Sequence, residues 1–281
     1  RLDLLSVALA AIGWALLRRG RDGSGGAMLA VAVFAKLWPL VLAPLMLLEG
    51  RRRGLVAWVA TGVAGAAAWY LWAGPDGMIQ VVSFRGATGW QVESLPGIVL
   101  HMLDHERTNF AQGAWRTGSM PGWSRPLFTF LSLGIAGLAW WWARSSGDEA
   151  TAGAPTTETA ADGVGQPSPP TLEVARYGLA PVAAVTAFLV FSSIISPQYV
   201  LWLLPFCAIA AAWRPVRYAV PSVVIFALST LGLAVIEGQD EGHLYATLPV
   251  LLRNAALVWL LILALIDLSP RAQLLTASPD S

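Results

Sequence analysis

The chain is predicted to be an all-α, polytopic membrane protein, and three observations carry that reading. Of its 281 residues, 56% are hydrophobic and only 12% are charged, against about 25% charged in a soluble domain. Apolar runs recur along the chain at or near the ~20 residues that one bilayer crossing takes. Arginines gather at alternate ends of those runs, as the positive-inside rule requires of a chain that crosses repeatedly. Fourteen tryptophans and five tyrosines suit interfacial belts. The single cysteine, Cys207, lies in an apolar run, so no disulfide forms within the chain. The net charge of +1 follows from topology and points to no nucleic-acid partner.

The first crossing is predicted over residues 2–17, short enough to be tilted. It opens Arg1-Leu2-Asp3, with neither methionine nor signal peptide, and is expected to lack an N-terminal part. Arg18, Arg19 and Arg21 close it on the inside. Residues 23–26 (GSGG) read as a flexible cytoplasmic turn, without the lysine and hydroxyl of a phosphate loop. Residues 27–48 follow, and they contain Lys36, the only lysine. An ionisable group at membrane depth costs about 3 kcal/mol and is a functional candidate by default. Arg51, Arg52 and Arg53 close this segment as Arg18–Arg21 open it, so both ends belong on the same side. Twenty-two residues cannot cross twice. A re-entrant helix pair broken near Trp38-Pro39, with Lys36 near its apex, satisfies both constraints.

Residues 55–73 predict the next crossing, with Ala57, Thr61 and Gly65 as a helix-packing stripe. Residues 74–124 then form an outer loop whose tryptophans, glycines and charges predict folded structure. Residues 126–143 cross back. Residues 145–171 are acidic, low-complexity and rich in alanine, threonine and proline, which predicts a disordered cytoplasmic linker. Four more crossings are expected, at 177–195, 200–213, 216–236 and 248–268. The organisation expected is an N-terminal membrane bundle (1–143), a linker (144–175), a C-terminal membrane bundle (176–268) and a cytoplasmic tail (269–281).

Candidate chemistry clusters on the outer face. Arg85 suits phosphate, because a guanidinium fork binds it in bidentate fashion. Glu93 is a nearby carboxylate able to act as a base, and Gln91 and Ser94 add hydrogen-bonding groups. Ser196-Pro197-Gln198-Tyr199 joins two apolar runs and aims Gln198 and Tyr199 at the boundary. Asp3 opens the first crossing. For each, a structural role (an ion pair ordering the loop, a belt tyrosine, a helix-end charge) competes with the functional one. His101 and His105 are four apart, yet HMLDHE is no known ligand signature, and no metal site is assigned. His243 sits in an acidic outer turn and is expected to be exposed.

The opening RLDLL and the strings FAKLWPLVLAPLMLLEGRRR, RGATGWQVESLP and SPQYVLWLLPF occur in that order. Together they resemble glycosyltransferase family 87, a mannosyltransferase-like branch of the GT-C superfamily. The resemblance implies a GT-C-like bundle and transfer of a hexose, mannose-like, from a polyprenyl-phosphate sugar to a glycan or glycolipid acceptor. It implies chemistry on the extracytoplasmic face of a multi-pass protein of the plasma membrane, with inversion and without a sugar nucleotide. It implies no cofactor; a divalent metal has no support in the residues. The usual base is an aspartate between the first two helices, in a loop that would lie upstream of Arg1. Asp3 and Glu93 are the acidic candidates present. Lys36 and Arg85 are expected to serve the lipid phosphate, with Gln91, Gln198 and Tyr199 lining the pocket. A lipid-linked sugar transporter or flippase and a non-catalytic membrane scaffold are the other readings.

Overall fold

The computed structural model describes residues 2–82, 89–104, 108–111, 113–152, 170–237 and 247–270. Its described residues are overwhelmingly helical, and five helices are long and apolar enough to cross a membrane: Arg52–Gln80, Ser124–Ser145, Leu172–Val190, Pro215–Gly232 and Leu248–Leu268. The all-α polytopic reading holds. The first and fifth expected crossings are the two that fall short of that length, as their sequence lengths foretold.

Helix α1 (Leu2–Arg18) turns at Gly20 (φ +71°) into α2 (Asp22–Ala35). The Ser6 hydroxyl donates to Ala32 O at 3.2 Å and fixes their register. Residues 23–26 are not a flexible turn. They form the start of α2, and the bare backbone of Gly25 and Gly26 lets it wedge between α1 and α4. A Cβ on Gly26 would lie 2.0 Å from Gly54 O, and one on Gly25 would lie 2.8 Å from Leu17 Cγ. The chain leaves α2 at Lys36, which is extended (φ −164°, ψ 142°). A 3₁₀ turn (Trp38–Leu42) and a short helix α3 (Pro44–Leu48) then bring it back, each with a proline at its start. Proline lacks the donor that continuing the helix would need. The segment ends where it began: Arg51 Nη1 lies 2.6 Å from Asp22 Oδ1 and donates to Leu17 O at 2.5 Å. The predicted fold-back is therefore present, with the break at Lys36, just before Trp38-Pro39. The 14 residues of α2 rise about 21 Å. The apex thus reaches the level of the first turn of α1 instead of dipping shallowly.

Helix α4 (Arg52–Val82) runs alongside α2, with Gly65 of the predicted stripe closing on the Phe34 ring. It kinks at Gly74 (φ 67°, ψ −176°), directly before Pro75. The outer loop is folded: β1 (Trp90–Gln91), β2 (Asn109–Ala111) and β3 (Ala114–Thr117) form an antiparallel sheet in the order β1-β3-β2. Helix α5 (Leu95–Asp104) packs on it. Helix α6 (Ser124–Ala152) continues well beyond residue 143. Thr171 caps α7 (Leu172–Val174) by accepting from Val174 N–H at 3.3 Å. The linker expected over 144–175 is therefore helical at both ends, and residues 153–169 lie outside the described residues. So do residues 271–281 of the expected tail.

After α7 come a π-helical turn (Ala175–Leu179), α8 (Ala180–Val190), a 3₁₀ segment (Pro197–Leu203), α9 (Leu204–Trp213), α10 (Pro215–Glu237) and α11 (Thr247–Leu268). Helix α8 is apolar on every side and sits centrally, as such helices must. In its spanning window 78% of residues are buried, against 6% in α4. The expected two bundles share one core. Trp14 of α1 donates its indole N–H to Tyr177 O at 3.0 Å and meets Trp140 and Phe206 edge-on at 6.5 and 5.5 Å.

Candidate functional site

The two ends of the bundle differ in charge. At one end Arg51 donates to the Tyr177 hydroxyl at 2.7 Å, and that hydroxyl donates to Glu49 Oε2 at 2.8 Å. Arg18 pairs with Glu173, and Arg214 and Arg217 pair with Asp267 at 3.1 and 2.8 Å. A cleft of about 350 Å³ opens here, lined by Arg18, Glu49, Arg51, Leu172, Glu173 and Tyr177. Its charges pair with one another, which makes it a clasp joining the end of α1, the turn between α3 and α4, α7 and the π-helical turn.

The other end gathers Asp3, Lys36 and Tyr199, three of the sequence candidates. Lys36 Nζ lies 3.2 Å from Asp3 Oδ1 and 4.4 Å from the centre of the Tyr199 ring. Each element contributes for a local reason. Extended backbone at Lys36 releases the side chain from α2 toward α1. Asp3 sits in the first turn of α1, where the helix dipole favours an anion. The segment Pro197–Leu203 is a 3₁₀ helix, and at three residues per turn positions i and i+3 eclipse. Tyr199 and Trp202 accordingly stack at 4.5 Å, and Trp202 stacks in turn on Trp38 at 5.5 Å. The Trp202 indole N–H also donates to Asp3 Oδ1 at 3.3 Å.

This arrangement presents a cation and withholds an anion. The Lys36 side chain is 29% exposed and that of Asp3 only 7%. Asp3 is committed to Lys36 and Trp202, so it suits a counter-ion better than a base. The ammonium retains donors for an outside anion, with an aromatic face that stabilises it by about 0.5–2 kcal/mol. Gln198 is half-buried in the same segment, and no hydrogen bond from its side chain is seen among the described residues.

A second group lies on the outer loop at the same end. Gln91 N–H donates to Ser193 O at 3.2 Å, which ties β1 to the segment that runs into Tyr199. Ser94 caps α5: its hydroxyl donates to Gln91 O at 2.7 Å and accepts from Gly97 N–H at 3.1 Å. The Gln91 side-chain amide donates to Glu93 Oε2 at 2.8 Å. Burial pushes the Glu93 carboxyl up to about 7, against the opposing pull of Arg253 and Gln91. A carboxyl poised there exchanges protons near neutral pH, which is what a general base needs. The loop is pinned from α11, where Arg253 Nη2 and Asn254 Nδ2 donate to Glu93 O at 2.5 and 3.2 Å.

Arg85, His105, Glu106 and His243 lie outside the described residues. Among the described residues no group of three or more His, Cys, Asp or Glu could hold a metal. Sequence reasoning missed Trp202, Trp38, Arg253 and Asn254. Trp202 had no distinguishing mark among fourteen tryptophans until the 3₁₀ pitch placed it under Tyr199. Arg253 was findable: it is a charge inside a predicted crossing, which is the argument that singled out Lys36.

The family profile described as glycosyltransferase family 87 matches residues 1–161. That stretch includes Asp3, Lys36 and Glu93 and stops before Tyr199 and Arg253. No curated protein and no solved structure matches the chain.

Proposed function

Because the chain belongs to glycosyltransferase family 87 and is a membrane glycosyltransferase, we propose that it moves a hexose, mannose-like, from a polyprenyl-phosphate sugar to a glycan or glycolipid acceptor. The transfer takes place on the extracytoplasmic side of the plasma membrane. The observation that carries this reading is Lys36, a part-exposed ammonium held between Asp3 and the Tyr199 ring at the arginine-poor end. A lipid phosphate arriving from the bilayer meets that ammonium at the boundary between apolar and wet surroundings.

In the proposed step an acceptor hydroxyl attacks the anomeric carbon. The new C–O bond forms as the bond from that carbon to the phosphate oxygen breaks, and the polyprenyl phosphate leaves with the electron pair. The hydroxyl proton passes to the Glu93 carboxylate. Lys36 meets the charge that develops on the leaving phosphate, the moment at which a pre-placed cation is worth most. Asp3 and Trp202 hold Lys36, and Gln91 orients Glu93. Arg85, Gln198 and Tyr199 stand as further contacts to the donor.

The test is transfer of radiolabelled sugar from polyprenyl-phosphate donors in membranes. Lys36→Met is expected to cost about 10²- to 10³-fold in rate, with Lys36→Arg keeping part of it. Full activity in a folded Lys36→Met protein removes Lys36 from the phosphate. No transfer from any polyprenyl-phosphate donor, with the protein inserted and folded, overturns the donor class.

A further inference from the structure

Arg253 is 1% exposed, yet it lies in Leu248–Leu268, a stretch apolar enough to cross a membrane. A guanidinium does not shed its proton to ease burial. Removing it from water is costly unless acceptors and charge meet it. Among the described residues Arg253 forms no ion pair. Its donors go to Glu93 O at 2.5 Å and to Asn254 Oδ1 at 3.2 Å from Nε and 3.0 Å from Nη2. Asn254 Nδ2 adds a second donor to Glu93 O at 3.2 Å. One backbone carbonyl thus takes two side-chain donors from adjacent residues of a membrane helix. Tying a loop to a helix needs only a neutral amide, which Asn254 already supplies. The buried charge is surplus to that purpose.

We propose that Arg253 is a positioning residue for the transfer reaction: its fork is held by Asn254 Oδ1, its Nη2 fixes the backbone carbonyl of Glu93, and this brings a buried charge to the residue that bears the carboxyl. This rests on the reading of Glu93 as the base. The other groups around Glu93 do not share the role. Gln91 on β1 is neutral and hydrogen-bonded to the carboxyl. Arg116 on β3 turns to Ala111 O at 3.2 Å and Gly89 O at 3.5 Å. His101 lies two turns along α5. Arg253 on α11 is the cation whose field acts on the Glu93 carboxyl and favours its ionised form.

Two variants separate the fork from the charge. Arg253→Gln removes both, while Arg253→Lys keeps the charge and loses the planar pair of donors. The carboxyl band of Glu93 is followed by infrared titration of the full-length protein in nanodiscs, isolated by difference against Glu93→Gln. The midpoint is expected to rise by roughly half a unit or more in Arg253→Gln and to stay near wild type in Arg253→Lys. Transfer kinetics should show kcat reduced about tenfold or more in both variants, with KM for the donor little changed. An unmoved midpoint in folded Arg253→Gln overturns the electrostatic role. Undiminished kcat in Arg253→Lys overturns the positioning role, and this variant carries the test if the glutamine does not fold. Full transfer by Glu93→Gln overturns the base reading alone, because the titration reads the coupling whether or not Glu93 is the base.

Discussion

Lys36 and Glu93 are drawn out of water in different ways, and each consequence is measurable. Lys36 has a carboxylate and two aromatic rings around it, so its charge is stabilised in place. Glu93 is neutralised more easily than it is solvated, and its carboxyl sits near 7 instead of the usual carboxylate range. As the base it must be ionised, so the donor-saturated rate should rise with pH through about 7. Glu93→Gln should lower the rate about 10²- to 10⁴-fold and abolish that dependence. Stability runs the other way. Between the unfolded value near 4.5 and the folded value near 7, the native protein holds a proton that the unfolded chain has lost. Stability therefore falls as pH rises through that window. Melting curves in detergent should show the decline in wild type and a smaller one in Glu93→Gln. At this scale the sequence was informative wherever a residue was rare. One lysine in an apolar run was conspicuous, whereas one tryptophan among fourteen was not. Asp3 was visible as a charge, but its engagement by Trp202 depends on a fold that joins residues 199 positions apart.

At the scale of elements, hydropathy located the helices and glycine was misread. GSGG looks like a hinge by composition, because glycine carries no helix propensity to speak of. In the fold Gly25 and Gly26 of this run are a contact surface of α2, and close approach to α1 and α4 compensates the lost propensity. Gly26→Ala should therefore disrupt α2–α4 packing, since its Cβ would meet Gly54 O at 2.0 Å. A cost of about 1–3 kcal/mol is expected of such overpacking. Gly62 provides the control: on α4 its Cβ would meet nothing within 4 Å, so Gly62→Ala should be neutral or stabilising by up to about 1 kcal/mol. Thermal unfolding of both variants in one detergent checks the contrast. The start of the expected linker was misplaced, because helix α6 carries on to Ala152 through acidic, alanine-rich sequence that composition alone assigns to disorder.

For the whole molecule, arginine placement was the most legible feature. It required residues 18–21 and 51–53 to lie together, and the Arg51–Asp22 contact joins those regions directly. Single cysteines should confirm it in a Cys207→Ser background. Arg19→Cys and Arg52→Cys are expected to react with an impermeant thiol reagent only from the cytoplasmic side, and Trp123→Cys only from the outside. Labelling of Arg19→Cys and Arg52→Cys from opposite sides would exclude the re-entrant topology. What arginines could not convey was that the halves interlock. The contacts of Trp14 with Tyr177 and Phe206 depend on apolar shape, and hydropathy records no shape.

The kink at Gly74 also has a bearing on the lipid. A straight helix from Arg52 to Gln80 has 29 residues and would rise about 43 Å, well beyond the ~30 Å hydrocarbon layer. The stretch before the kink, residues 52–73, accounts for about 33 Å, close to one bilayer thickness. Gly74 and Pro75 break the run at that point, and Trp69 and Trp72 meet edge-on just beneath the bend, ring centres 5.4 Å apart. Helix α4 thus works as a depth gauge: its straight part matches the membrane, and its bend marks where that match ends. Hydrophobic mismatch would then be taken up at that bend, so a bilayer with longer or shorter acyl chains should change the tilt of α4.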